Sequence, residues 1–415
     1  MSEPWMALID MNSYFATLEQ QSNPFLRGKP IGIVKDHGRT CVIAASAEAK
    51  KLGIKTGCRL REARELCPTF IAVPADFDKY FYNTLLLKKI FESLSPATDI
   101  FSLDEAFIDL KDCRKIYADT QSFFTAAQKK VHDELGEWVT FSLGIGRNRL
   151  QAKLASEFAG VDHYFEITEK NLDACLAEAK VDDICGIGYR LSKRLRMLQI
   201  EHPYQLNFYD DAFLIEHFGV FWGPELRRIG RGENSHLLDL IDTPATHMKS
   251  VGRSKTLFTA NANHDYLRQM IYNLAEDMCF KARRMKMAGC HVALYLTGTE
   301  GQWWAKEFRM KTPVCHTNEV FHLLDRLFSA LQIGHASIIK IGVRLGELHP
   351  LEKTTQCWLP EWDSRERLYH AVDAVNEKHG LYTLKPARLL GFKIIHPEVT
   401  GFLGDKIYQF GNQQT

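Results

Sequence analysis

The chain has 415 residues, 45% hydrophobic and 25% charged, an ordinary globular balance at a length beyond one hydrophobic core, so several domains are expected. Its 52 basic and 51 acidic residues leave a net charge of +1, which excludes nucleic-acid coating by bulk charge and assigns any such contact to local basic patches. No segment has the apolar run of a membrane helix, Met1-Ser-Glu-Pro-Trp5 lacks the regions of a signal peptide, and the ten cysteines contain no C-x-x-C pair, so a reduced, cytoplasmic enzyme is expected.

Met6, Ala7, Leu8 and Ile9 form a strand-like apolar run that ends on the carboxylate of Asp10. An insertion over 22–74 follows, with a short strand at 30–35, a strand of small residues at 41–45, and a helix at 47–52 closed by Gly53. Aromatic and leucine residues over 77–94 recur at helical spacing, and Tyr80, Phe81 and Tyr82 are expected to pack in a core. The stretch 100–110 is again strand-like and carries Asp104 and Glu105; Asp109, beyond them, is expected to be structural. A strand at 140–145 and a helix at 148–158 complete a mixed α/β region. Acids at two strand ends can converge across a sheet, and hard oxygen ligands without Cys or His suit Mg²⁺ or Mn²⁺ better than zinc. The same residues also suit a helix cap at Asp10 and a solvated hairpin corner at Asp104 and Glu105.

Between 168 and 231 the pattern is mostly helical. Cys185-Gly-Ile-Gly-Tyr189 lies between a helical segment at 172–180 and a basic one with Arg190, Lys193, Arg194 and Arg196. Glycines at a helix start let backbone N–H groups approach a phosphate, so Gly186, Gly188, Arg190 and Lys193 are read as a helix-hairpin-helix contact to DNA; a plain αα-turn with a solvated basic face fits the same residues. The Gly-, Asn-, Asp- and Pro-containing stretch 230–249 reads as a linker. Beyond it the periodicities give a strand at 249–258, a helix from Leu267 to Met285, strands at 291–297 and 303–310, a helix at 320–331 and a strand at 338–345, the order βαββαβ. Lys340 and Arg344 share one face of the last strand, and Lys249, Arg253 and Lys255 share a parity in the first if a bulge separates them from Val251 and Leu257. Together they are expected to form a basic stripe on an open sheet face.

Asp10-Met-Asn-Ser-Tyr-Phe-Ala16 and Ser102-Leu-Asp-Glu-Ala-Phe-Ile-Asp-Leu110 resemble the two catalytic motifs of the Y-family, the translesion DNA polymerases. Ala47-Glu-Ala-Lys-Lys-Leu-Gly-Ile-Lys-Thr-Gly57 and the stretch from Val181 to Leu195 are most similar to the UmuC-type catalytic subunit of DNA polymerase V, with the DinB-type polymerases second. The resemblance implies a multidomain α/β (α+β) right-hand fold: palm 1–166 with fingers inserted at about 22–75, helical thumb 167–232, linker 233–247, βαββαβ little finger 248–348 and tail 349–415. It also implies that Asp10, Asp104, Glu105 and the Met11 carbonyl hold two Mg²⁺ ions, with Mn²⁺ as substitute, that Phe15 is the steric gate against ribose, and that Tyr14, Lys50 and Lys153 serve the nucleotide. Ala47 replaces the phosphate-contacting Tyr of DinB-type members, and Lys50 stands where many relatives carry Arg. Cys41, Val42, Ala44, Ala45 and Ser46 are expected beside the nascent base pair.

Implied partners are primer-template DNA, dNTPs, a sliding clamp through the degenerate peptide Gln356-Cys-Trp-Leu-Pro360, and a UmuD-like subunit or recombinase filament in SOS mutagenesis. The stretch 375–389 resembles the tail of UmuC-like proteins. Against a polymerase stand two other readings, an inactive accessory scaffold, which has no need of all three acids, and a palm-type nucleotide cyclase, which has no need of a duplex grip.

Overall fold

The computed structural model describes residues 5–35, 40–238, 248–351, 360–380 and 382–392, which divide at 242/243 into two compact units. In the first, β1 (Met6–Met11) is the middle strand of a sheet and is covered on both faces, so the successive residues Ala7, Leu8 and Ile9 are all buried. It leads through α1 (Tyr14–Ser22) into an inserted three-stranded sheet of β2 (Ile31–Val34), β3 (Val42–Ala45) and β4 (Ile71–Pro74), with α2 (Ala47–Lys51) and α3 (Leu60–Leu66). The insertion has its own small core of Val34, Val42, Ala45, Ala49 and Leu60. Next come α4 (Phe77–Glu92), the hairpin of β5 (Thr98–Ile100) and β6 (Glu105–Asp109), α5 (Thr120–Leu135), β7 (Phe141–Gly146), α6 (Arg149–Ala159) and β8 (Tyr164–Glu166). The main sheet has the order β5-β6-β1-β7-β8.

Parity decides which layer each β1 side chain meets. Ala7, Ile9 and Met11 pack with residues of α1, α4 and α5, whereas Leu8 joins Phe107 of β6 and Leu150 and Leu154 of α6. Asp10 shares the parity of Leu8 and Glu105 that of Phe107, so both acids lie on the α6 side of the sheet. The remaining segments are helical: α7 (Leu172–Glu178), α8 (Tyr189–Met197) and α9 (Asp211–Gly230), the last kinked at Gly219, where φ is 87°.

In the second unit, β9 (Ser250–Asn261), α10 (His264–Arg284), β10 (Met287–Gly298), β11 (Trp303–Val314), α11 (Thr317–Ser329) and β12 (Ile338–Pro350) follow the expected βαββαβ order and form a sheet β11-β10-β12-β9. The core lies between one face of that sheet and the two helices. The bulge expected in β9 falls elsewhere: pairing with β12 runs regularly from Ser250 to Thr256, so Arg253 opposes the buried Val343 and Lys255 the buried Ile341. Both residues therefore face the helices, between Val251 and Leu257, and not the open face.

The tail contributes a helix and a core residue to this unit. α12 (Pro360–His379) docks on this unit, where Arg283 of α10 holds Asp373 in a two-pronged pair at 2.6 and 2.9 Å with Tyr369 beneath the guanidinium. Leu389, fully buried, completes the core. The clamp-like peptide 356–359 lies outside the described residues.

Candidate active site

The strand-to-helix turn after β1 has an unusual backbone. Ser13, the residue before α1, takes a left-handed conformation (φ 49°, ψ 41°) and makes no side-chain cap, a strained choice for a non-glycine residue. Asn12 supports the turn by donating to Ser142 Oγ at 2.7 Å and accepting from Thr140 Oγ1 and the Asp162 amide. Asp10 is thus a strand residue and not the helix cap, and the first-turn amides of α1 receive no side-chain oxygen from Ser13.

Antiparallel pairing sets Asp10 opposite Glu105, and the Met11 amide donates to the Asp104 carbonyl at 2.9 Å. Asp104 sits at the hairpin corner, but that corner is anchored: Leu103 is buried and its carbonyl accepts from Thr84 at 2.8 Å, while Ser102 Oγ donates to Asp104 at 2.5 Å. Lys153 reaches over from α6 and donates to Glu105 Oε2 at 2.9 Å, both side chains being mostly buried (15% and 18% exposed).

The electrostatics follow from crowding. Burial first, then Glu105 and Asp104, push the Asp10 carboxyl well above the usual carboxylate range. Burial and Glu105 push Asp104 up against the pull of the Ser102 hydroxyl. Burial works against the Lys153 ammonium, yet Glu105 and Asp10 outweigh it and hold it above the ordinary lysine value. Repelling hard-oxygen acids are what a divalent cation relieves, so the donor set fits Mg²⁺ or Mn²⁺. Among the described residues, no three acid, His or Cys side chains already close around one metal position. The reason is visible in the partners: Glu105 is turned to Lys153, and Asp104 to Ser102.

Asp10, Met11, Ser13, Tyr14, Phe15, Lys50 and Asp104 line a cleft of about 430 Å³, a size suited to a small ligand. Phe15 lies flat on Tyr80, ring centres 4.3 Å apart and planes 10° from parallel, with Phe77 edge-on. Tyr80 thus packs as expected, although its neighbour Tyr82 is exposed. The Tyr14 hydroxyl points into the core at Thr84 and Tyr80, so its side chain is occupied away from the cleft. Of the small residues expected here, Ala44 and Ala45 reach the cleft. Val42 and Ser46 are buried within the inserted sheet and its helix cap, and Cys41 pairs across to Arg59.

Several lining residues escaped the sequence reading. Ile43, Thr56, Ser156 and Glu157 lie around the cleft, and Glu157 had a signal, since it follows Lys153 by four residues and so shares its helix face. Burial, with Asp183 and Glu105, raises the Glu157 carboxyl against the opposing effect of Lys153 and Lys50.

The expected DNA-contact residues divide. Gly186 (φ 96°) and Gly188 lead into α8, and a Cβ at Gly186 would meet Leu237 at 2.5 Å. Leu191 and Leu195 bury one face of α8 and leave Arg190 and Lys193 exposed, while Arg196 pairs with Asp182. In the second unit Lys249, Lys340 and Arg344 are exposed, and the latter two flank Gly342 on the open sheet face. Arg253 does not join them, because it is paired at 2.6 Å with the buried Asp277 of α10. Lys255 lies on the same helix-facing side.

The chain matches the impB/mucB/samB family over residues 9–157 and that family's C-terminal domain over 248–359. It is 28% identical over 379 residues to a DNA polymerase IV of Pelotomaculum thermopropionicum, covering 91% of this chain and 93% of the relative. It is 31% identical over 345 residues to a DNA polymerase IV of Xanthomonas axonopodis pv. citri, covering 83% and 94%. Among solved structures it is similar to a Y-family DNA polymerase chimera of Dbh and Dpo4, with TM-score 0.69, 19% identity and coverage of 82% and 98%. An insertion ternary complex of Dbh DNA polymerase gives TM-score 0.51, 18% identity and coverage of 83% and 99%.

Proposed function

The chain belongs to the impB/mucB/samB family, the Y-family of DNA polymerases, and on that premise we propose that it extends primers past damaged template bases by nucleotidyl transfer in the cleft at Asp10, Asp104 and Glu105. The observation that carries this reading is the β1–β6 register, which sets Asp10 against Glu105 beside a cleft that also presents Phe15 and Lys50. The relatives named above are DNA polymerase IV, which favours the DinB side of the family over the UmuC type suggested by the fingers and thumb sequence.

Asp10, Asp104, Glu105 and the Met11 carbonyl are the residues that would hold Mg²⁺, which when bound supplies activation of the primer 3′-hydroxyl and neutralisation of triphosphate charge. Lys50 and Lys153 bring cations to the triphosphate, and the first-turn amides at Ser13, Tyr14 and Phe15 add N–H donors at a helix N-terminus. Phe15, held flat by Tyr80, fills the space a ribose 2′-hydroxyl would need. Ile43, Ala44 and Ala45 give the base pair a wall of modest side chains, and Lys50 supplies a point charge in place of a guanidinium fork, so geometric selection is weak and distorted bases are tolerated.

Gly186, Gly188, Arg190 and Lys193 in one unit, and Lys249, Lys340 and Arg344 in the other, are assigned to the DNA backbone. A cytoplasmic location and a clamp, UmuD-like or recombinase partner belong to the same proposal. Among the described residues no helix is long and apolar enough to cross a membrane.

The test is primer extension with Mg²⁺ across an abasic or bulky template lesion. The wild-type protein should extend the primer, and Asp104→Ala should lower extension by at least a hundredfold, the scale of losing a charge-stabilising group. Failure of the wild type on damaged and undamaged templates alike would leave the scaffold reading in its place.

A further inference from the structure

The contact between Lys153 and Glu105 joins two groups that the proposed chemistry needs apart. Lys153 is there to meet a triphosphate, and Glu105 to meet a metal ion, yet their side chains are closed on one another at 2.9 Å, largely out of solvent. A carboxylate bonded to a lysine ammonium is a poorer ligand, since a cation must displace a charge-assisted hydrogen bond to use it. Position on the helix also offers the ammonium an alternative partner. Glu157 stands one turn further along α6, on the cleft wall that also holds Lys50, so it offers the ammonium a second carboxylate on the same helix face.

We propose that Lys153 is an internal counter-ion that occupies Glu105 until a triphosphate draws it off, so that nucleotide arrival and metal affinity at Glu105 are coupled through one side chain. This rests on the assignment of Glu105 as a metal ligand and deepens it. By linkage, whatever favours the open lysine favours the metal, and the reverse holds equally. The arrangement keeps the acid pair apart from metal in the resting protein and completes it when substrate is present. Lys153 acts in this through Glu105 and is a positioning residue as well as a phosphate contact.

The experiment is Mn²⁺ binding, followed by the loss of free-ion electron paramagnetic resonance signal, to the full chain without DNA or nucleotide. Lys153→Gln should bind Mn²⁺ about tenfold more tightly than the wild type, the scale of one released charge-assisted bond. Lys153→Arg, which preserves the pair, should stay within about twofold. Lys50→Gln removes a cation from the same cleft but no partner from Glu105, so it should tighten binding far less. In an Glu105→Gln background, Lys153→Gln should lose most of its effect, and circular dichroism on each variant confirms the fold. Equal tightening by Lys50→Gln and Lys153→Gln would mean simple charge removal and would overturn the proposal, as would unchanged affinity in Lys153→Gln. A Lys153→Gln variant that binds Mn²⁺ no better than the wild type, while the wild type extends primers with Mg²⁺, would overturn the counter-ion role alone, whereas no Mn²⁺ binding in any variant together with no extension would overturn the metal assignment beneath it.

Discussion

Phe15 shows how a single ring acquires a fixed position. Its face is covered by Tyr80 and its edge by Phe77, and the Tyr80 hydroxyl is in turn held by Glu19 at 2.8 Å. Stacked aromatic pairs of this kind contribute about 1 kcal/mol beyond their buried area, enough to keep the ring from swinging aside. Phe15→Ala is therefore expected to raise ribonucleotide incorporation at least tenfold in a single-nucleotide extension assay, while leaving dNTP insertion within a few-fold. Tyr80→Leu keeps the gate ring but removes the surface under it, so it should give a smaller rise. An equal rise in both variants would place the selection in the floor and not in Phe15. The acids drew notice in the sequence because a carboxylate ends an apolar strand, whereas Phe15 stood out only through the resemblance of its motif to the Y-family. Glu157 carried only its four-residue spacing from Lys153, and Ser102 no signal of its own, since a serine beside an acid means little until the fold shows what lies across from it.

At the scale of elements, the position of Lys153 depends on how closely α6 approaches β7. Gly144 and Gly146 let helix and strand meet almost backbone to backbone: a Cβ on Gly144 would lie 2.0 Å from the Ala152 carbonyl oxygen and 2.3 Å from the Ser156 amide. Those two residues bracket Lys153. Gly144→Ala must push α6 outward and should lower stability by about 2 kcal/mol, as overpacked cores do, and primer extension should fall by more than the loss of folded protein explains. Thermal denaturation by circular dichroism and extension at matched folded concentration measure the two effects; a destabilised variant with full specific activity would uncouple Lys153 from the helix position. Hydrophobic periodicity located most of these elements because burial on one face demands it, and α10, with Leu267, Met270, Ile271, Leu274 and Met278 all buried, is the clearest case. α5 carries the same signal in its buried Phe123, Phe124, Ala127, Val131 and Leu135, whereas α12 is held by the Arg283–Asp373 pair, which no apolar pattern announces.

For the molecule as a whole, a net charge of +1 means that DNA must be met by chosen residues on chosen faces. Parity in β9 correctly grouped Arg253 with Lys255, but parity states only that residues share a face, not which face. The decisive fact is the partner: Asp277 on α10 turns a long basic side chain inward and satisfies it beside the core. Lys340 and Arg344 point to the opposite face from the buried Ile341 and Val343 and stay exposed on either side of Gly342, where the Tyr295 ring lies so close that any side chain would collide. Basic residues of the same unit thus have opposite fates on substitution. Lys340→Ala and Arg344→Ala should each weaken duplex DNA binding and reduce the slope of log affinity against log salt by about one, with thermal stability unchanged. Arg253→Ala should leave the salt slope alone and instead destabilise the second unit by about 2 kcal/mol, because Asp277 loses a charge-assisted bond beside the core. Fluorescence anisotropy over a salt series and thermal denaturation of the same three variants separate the outcomes. A reduced slope in Arg253→Ala with intact stability would return that arginine to the DNA face and require the ion pair to open on binding.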